Sequence, residues 1–197
     1  MLTAGTGSFH CGTCLRDNTL AHGLKVLGHD VRLIPLYLPL ITDGISASAG
    51  ETVLMGGVTA YLQQQSALFR ALPDWLDRAL DSRTMLSLVA GRAGATNPAD
   101  LGPMTRSMLA GEEGNQARSI SRLKERLRDI TPKPDAVLLS NALLLGLARP
   151  LAQALGCPIV CSLQGEDVFL DALPEGEREA AWSLVAERSQ DATHFIA

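Results

Sequence analysis

The chain has 197 residues, of which 46% are hydrophobic and 19% charged, and its formal net charge at pH 7 is -4. This is an ordinary globular composition, and the length allows one domain with a substantial core. We expect no nucleic-acid partner, because phosphate binding needs a clustered basic face and this chain is acidic. The longest apolar stretch, Ala142–Ala148, is far shorter than the roughly 20 residues that span a bilayer, so we expect no transmembrane segment.

The N-terminal residues and the cysteine content predict the compartment. No charged leader with a long apolar run precedes a cleavage site, so export is not expected. Four cysteines, at positions 11, 14, 157 and 161, are too few for a disulfide scaffold in a chain of this size. We therefore predict a cytoplasmic protein.

The first forty residues predict a strand, a loop, a helix and a strand. Met1–Thr3 has the character of an apolar strand end, and Ala4–Thr13 is a Gly-rich loop. The helix that follows has leucines at positions 15, 20, 24 and 27, with Gly28 as its left-handed cap. Val31–Leu38 is rich enough in Val, Ile and Leu for a strand that is covered on both faces. This order favours a parallel sheet.

The last third of the chain repeats the alternation of helices and strands. Its predicted elements are a helix from Ile120 to Ile130, a strand Ala136–Ser140, a helix that Gly156 caps, a strand Ile159–Leu163, a helix Glu177–Ser189 and a strand that starts at His194. Residues 39–103 lie between the two halves and carry helical signals around Tyr61–Phe69, Trp75–Leu80 and Met85–Ala90. We predict a single domain over residues 1–197: an open, doubly wound, mostly parallel α/β sheet with a largely helical insertion.

Polar and Gly-rich segments follow the predicted strands, where open α/β sheets bind their ligands. The amide and carboxylates of Gln164–Asp167 can hold sugar hydroxyls, although Glu166 or Asp167 can instead cap the turn that follows. Small residues after the first strand let backbone N–H groups approach a ligand, and Arg16 and Asp17 lie in the first turn of the next helix. The predicted binding residues are Gly5, Thr6, Gly7, Ser8, Arg16, Asp17, Gln164, Gly165, Glu166 and Asp167.

Cys11 and Cys14 form a Cys-x-x-Cys motif between a predicted strand and a helix N-terminus. Thioredoxin-like redox sites use this placement, so a thiol redox protein is one alternative function. A four-thiolate zinc site with Cys157 and Cys161 is disfavoured, because Cys161 lies within a predicted buried strand. We interpret the cysteines as structural and predict no metal site. A non-catalytic module that binds a carbohydrate or an anion is a further alternative.

Five segments of the sequence, in this order, resemble one known family. They are Ala4–Asp17, Gly28–Val31, Leu109–Asn115, Pro134–Ala148 and Leu163–Leu170. Together they resemble a bacterial branch of the family-4 glycosyltransferases, and the similarity extends over essentially the whole chain. The resemblance implies the GT-B fold, in which two Rossmann-like domains face each other across a cleft.

The resemblance also implies a function for the full-length protein. Such enzymes transfer a sugar from a nucleotide-sugar with retention of configuration and without a catalytic metal or cofactor. The N-terminal domain binds a sugar or glycolipid acceptor, and the C-terminal domain binds the nucleotide-sugar. This chain corresponds to the N-terminal domain, so we expect no catalytic residue within it and no transfer by it alone. Peripheral membrane association is compatible with this function.

One residue departs from the family pattern. Family members often have a histidine in a His-Gly-x-Asp sequence after the strand that corresponds to Ile159–Leu163, and this chain has Gln164 there. A side-chain amide can hydrogen-bond a sugar hydroxyl but cannot donate a proton as an acid. An acid/base role therefore does not carry over to this position.

Overall fold

A computed structural model describes residues 1–5, 12–40, 46–48, 52–65 and 98–197. The chain forms two compact units. Unit 1 comprises Met1–Ala60 and Leu72–Ala95, and unit 2 comprises Tyr61–Ala71 and Thr96–Ala197. No helix among the described residues is long and apolar enough to cross a membrane.

Unit 1 contains a β-α-β arrangement, as predicted. Strand β1 (Leu2–Thr3) is followed by helix α1 (Gly12–Val26) and strand β2 (Ile34–Pro35). The two strands pair in parallel, with Leu2 opposite Ile34. Strand β2 is shorter than the apolar run that predicted it, but residues 33–37 are all buried. The hydrophobic run therefore belongs to the core although only two of its residues form the ladder.

The buried face of α1 is not the one that carries the leucines. Its buried residues are Cys14, Asp17, Asn18 and Ala21. The three leucines within the helix are only half-buried, and Leu27, just beyond its end, is 75% exposed. Positions 14, 17, 18 and 21 are themselves spaced at three to four residues, so they share one face of the helix. The small side chains among them let the helix lie close to the core residues Leu33, Leu40 and Ala47. The helix prediction is confirmed, and Gly28 has the predicted positive φ of 92°.

Unit 2 alternates helices and strands. Helix α2 (Gly57–Gln65) begins in unit 1 and ends here, and the elements that follow are α3 (Pro98–Leu109), a 3-10 segment (Gly111–Glu113), α4 (Ala117–Arg128), β3 (Val137–Leu139), a 3-10 segment (Ala142–Leu147), α5 (Ala148–Leu155), β4 (Ile159–Ser162), α6 (Glu166–Asp171), α7 (Glu175–Arg188), a 3-10 segment (Ser189–Asp191) and β5 (His194–Ile196). Strand β4 pairs in parallel with β3 on one side and with β5 on the other. Every strand predicted for this half is present.

The fold-class prediction is confirmed: the protein is an α/β protein whose strands are parallel and are connected through helices. Gly156 ends α5 in the left-handed conformation, as predicted. Of the insertion, the structure describes α2 and α3, and the predicted helices Trp75–Leu80 and Met85–Ala90 lie outside the described residues. The six-residue helix α6 was not predicted, because one and a half turns are too short for a periodic pattern.

Strand β5 is the outer strand of the sheet in unit 2, and its three residues are exposed. Phe195 is 42% exposed and Ile196 is 45% exposed. Neighbouring residues of a strand point to opposite faces of the sheet. Both faces of this edge therefore present a large apolar side chain to solvent.

The core of unit 2 depends on a close approach of two backbone segments at Gly146. Its Cα lies so near Met108 and Gly111 that a Cβ would overlap the carbonyl oxygen of Met108 and would lie 2.9 Å from the amide nitrogen of Gly111. No side chain can move to relieve that overlap, because both neighbours are backbone atoms. The site thus requires a residue without a Cβ.

We expect Gly146→Ala to lower the free energy of unfolding by at least about 1–3 kcal/mol, the usual range for an overpacked core. Gly176→Ala in α7 is the matched control, because a Cβ there has no neighbour within 4 Å. That substitution should be neutral or should stabilise the helix by up to about 1 kcal/mol. Urea denaturation of both variants measures the difference, and equal stabilities would contradict the packing described here.

Candidate functional site

Polar side chains gather at the carboxyl ends of β3 and β4 in unit 2. Leu139 of β3 is in register with Cys161 of β4, so the next residues, Ser140 and Ser162, occupy neighbouring positions. Asn141 and Gln164 follow them in their respective loops. Because parallel strands end at the same edge, these two loops emerge side by side. This edge is the candidate site.

The Glu166 carboxylate joins the two loops. Its Oε1 accepts a hydrogen bond from the backbone N–H of Ala142, at 2.5 Å, and its Oε2 accepts one from the backbone N–H of Gln164, at 2.6 Å. The side-chain amide of Gln164 donates to the carbonyl oxygen of Ser140. Glu166 therefore does not cap the turn that follows it. Its carboxylate binds the backbone of its own loop and of the loop after β3.

Asp167 is placed differently from its neighbour Glu166. It lies in the first turn of α6, it is exposed, and no described residue binds its carboxylate. Gly165 precedes this helix as its N-cap with a positive φ of 77°. Among the four predicted residues of this segment, Asp167 thus presents a carboxylate to solvent, whereas Gln164 and Glu166 hold the loops together.

The predicted site residues of unit 1 are only partly described. Gly5 has a φ of 87°, and a Cβ there would overlap the carbonyl oxygen of Leu38, so the loop after β1 requires glycine at this point. Arg16 is half-buried, and Asp17 is fully buried on the inner face of α1. Thr6, Gly7 and Ser8 lie outside the described residues, and so does Cys11.

Two polar residues at the candidate site, Ser140 and Ser162, were not predicted from the sequence. The sequence places Asn141 at this edge, after a predicted strand, but Asn141 was not among the predicted binding residues. Ser140 and Ser162 are 1% and 0% exposed, and neither hydroxyl has a hydrogen-bond partner among the described residues. The Oδ1 of Asn141 is also buried without a described partner. The signal that could have identified the two serines is their position, since Ser140 ends one predicted strand and Ser162 is the last residue but one of another.

The described cysteines are free thiols in shielded surroundings. Cys14 is buried, and its Sγ lies 3.7 Å from the hydroxyl of Thr3. Burial, with a smaller contribution from the charge of Glu166, raises the pKa of Cys161 to about 12. Burial also raises the pKa of Cys157. In the described part of the chain, no group of three or more His, Cys, Asp or Glu side chains is arranged to hold a metal ion.

We expect Glu166→Ala to lower the free energy of unfolding by about 1–3 kcal/mol, because two backbone N–H groups lose a charged acceptor. Asp167→Ala is the matched control, one residue away on the same helix. It should change stability by less than about 1 kcal/mol, since an exposed carboxylate in the first turn contributes only through the helix dipole. Thermal unfolding of the two variants tests this, and a larger loss in Asp167→Ala would refute the assignment.

Raised thiol pKa values protect Cys161 from alkylation. The folded-state pKa of Cys161, about 12, lies above the ordinary thiol value of 9.0, so the thiolate is disfavoured in the native protein. The free energy of unfolding should therefore decrease as the pH rises from about 9 towards 12. With iodoacetamide at pH 8, we expect Cys161 to react at least about 100-fold more slowly in the native than in the denatured chain. Peptide mapping by mass spectrometry measures both rates. Equal rates would show that the thiol is accessible.

A comparison of the chain with protein-family models, with curated proteins and with solved structures found no match. The fold is therefore established by the geometry of the strands and helices themselves. The resemblance to family-4 glycosyltransferases rests on the five sequence segments alone.

Proposed function

We propose that this chain is the acceptor-binding, N-terminal domain of a retaining glycosyltransferase that takes its sugar from a nucleotide-sugar. The donor is bound by a second domain in this proposal, and the acceptor is a sugar or a glycolipid. No metal or cofactor takes part. Two lines of support are independent of each other: the sequence segments that resemble family-4 enzymes, and an α/β fold with parallel strands.

The observation that carries the proposal is the polar edge at the ends of β3 and β4. Ligands of open parallel sheets bind beyond the carboxyl ends of the strands. There the chain places a free carboxylate at Asp167 and a half-buried carboxamide at Asn141. Carboxylates accept hydrogen bonds, and carboxamides both accept and donate them, which matches the many hydroxyl groups of a saccharide.

The hydrogen bonds between the loops support the same proposal. A site that recognises several hydroxyl groups needs its own polar groups in fixed positions before the ligand arrives. Glu166 and Gln164 supply this by bonding to the backbone of the neighbouring loop. In this proposal, Gln164 and Glu166 fix the positions of the two loops, and Asp167 contacts the acceptor.

A thiol redox function has no comparable support. A redox-active cysteine is an accessible thiolate with a depressed pKa. Cys161 is buried with a raised pKa, and Cys14 is 2% exposed. Cys161 thus has the opposite properties and Cys14 is inaccessible, whereas Cys11 lies outside the described residues.

Saccharide binding by the isolated chain tests the proposal. Ligand-observed NMR with a panel of millimolar glucose, galactose, mannose and N-acetylglucosamine oligosaccharides should detect binding to the unmodified chain. Asp167→Ala should weaken that binding by about 1–3 kcal/mol, the range for a hydrogen bond to a charged group, with the melting temperature nearly unchanged.

Asp171→Ala in the same helix is a control for the loss of a carboxylate, because Asp171 instead accepts a hydrogen bond from the indole N–H of Trp182. It should leave saccharide binding unaltered. Absence of binding to the whole panel would contradict the proposal. So would sugar transfer from UDP-glucose or GDP-mannose by this chain on its own, since the donor site would then lie within it.

A further inference from the structure

The side chain of Asn141 occupies a capping position without capping. Asn141 is the N-cap residue of the 3-10 segment Ala142–Leu147, with extended backbone angles of φ -158° and ψ 167°. Asparagine at an N-cap ordinarily accepts a hydrogen bond from a backbone N–H in the first turn. No side-chain capping bond is present here. The carboxamide is therefore not used to stabilise the start of this segment.

Other acceptors bind the first N–H groups of this segment. The Oε1 of Glu166 accepts the hydrogen bond of the Ala142 N–H. The Leu144 N–H, three residues after the cap and a usual donor to an N-cap side chain, donates to the backbone carbonyl oxygen of Asn141, at 3.2 Å. The carboxamide of Asn141 therefore remains available for another partner.

Two adjacent polar groups at this point lack partners. The Oδ1 atom of Asn141 is buried, and neither it nor the Ser140 hydroxyl has a hydrogen-bond partner among the described residues. Native proteins leave few buried polar groups in this state, because each one gives up its bonds to water and receives nothing in return. Asn141 as a whole is only half-buried, so the residue reaches the surface although its Oδ1 does not.

We infer that Asn141 contacts the ligand of this site, because its carboxamide makes no capping bond and its Oδ1 has no partner among the described residues. The ligand carries vicinal hydroxyl groups: one donates to Oδ1 after a rotation of the side chain has exposed it, and the oxygen of another accepts from Nδ2. Ser140, next in the chain, adds a hydroxyl that can donate to the same molecule after a small local rearrangement. The inference rests on the proposed function for the identity of the ligand as a saccharide.

The test uses the saccharide panel and the 197-residue chain with Asn141→Leu and Asn141→Ala. Leucine keeps the volume of the side chain and removes its polar atoms. Both variants should bind the saccharides about 10-fold more weakly, the loss expected for one or two neutral hydrogen bonds. Their melting temperatures should be unchanged or slightly higher, because Oδ1 makes no internal bond that the substitution removes. The control is Gln153→Ala, which removes an exposed amide from α5 and should alter neither quantity.

The outcomes separate this inference from the proposed function. If Asp167→Ala weakens saccharide binding and both Asn141 variants bind normally, the inference is overturned and the proposed function stands. If the unmodified chain binds none of the saccharides, both are overturned. If Asn141→Leu and Asn141→Ala each lower the melting temperature by more than about 4 °C, equivalent to roughly 1–2 kcal/mol, Asn141 has a structural role and the inference fails.

Discussion

The candidate site depends on one carboxylate. Glu166 lies in the loop after β4, and its two oxygens accept hydrogen bonds from backbone N–H groups of two different loops. Strands β3 and β4 are fixed by their own ladder only as far as Leu139 and Cys161. Beyond that point the loops need another connection to keep a defined geometry, and the Glu166 bonds provide it. The positions of Asn141 and Asp167 are both consequences of this connection.

The same interaction explains why two neighbouring acidic residues differ in character. Glu166 and Asp167 are adjacent in the first turn of α6, so both benefit from the positive end of the helix dipole. Only the longer side chain lies against the start of the 3-10 segment and binds there. The shorter one remains exposed at the surface. Glu166, whose side chain is one methylene longer, therefore organises the loops, whereas Asp167, at the next position of the helix, is open to a ligand.

The sequence predicted most of the fold, because apolar runs bounded by glycine and proline are strong signals. The strands around Val137 and Ile159, the stripe of Ile120, Leu123 and Leu127, and the cap at Gly156 follow from such patterns. The buried face of α1 could not be predicted in the same way. Its inner residues include Asp17 and Asn18, and a hydrophobic pattern assigns such polar residues to the outside.

The sequence predicted where Gln164–Asp167 lies along the chain, but not the contacts that these residues make in the fold. Sequence position alone showed that Gln164–Asp167 follows a buried strand. The bond between Glu166 and Ala142 joins residues 24 positions apart, and no local pattern encodes it. For that reason the role of Glu166 as a link between the two loops is visible only in the folded chain.

The outer strand β5 has a consequence for how the sheet can be extended. Its residues are exposed, with Phe195 and Ile196 turned to opposite faces, and none of its three residues is a lysine or a proline, which commonly block the edges of natural sheets. An edge of this kind can pair with a further strand, from the same polypeptide or from another molecule. Whichever strand pairs there has an apolar side chain of β5 to pack against on each face of the sheet.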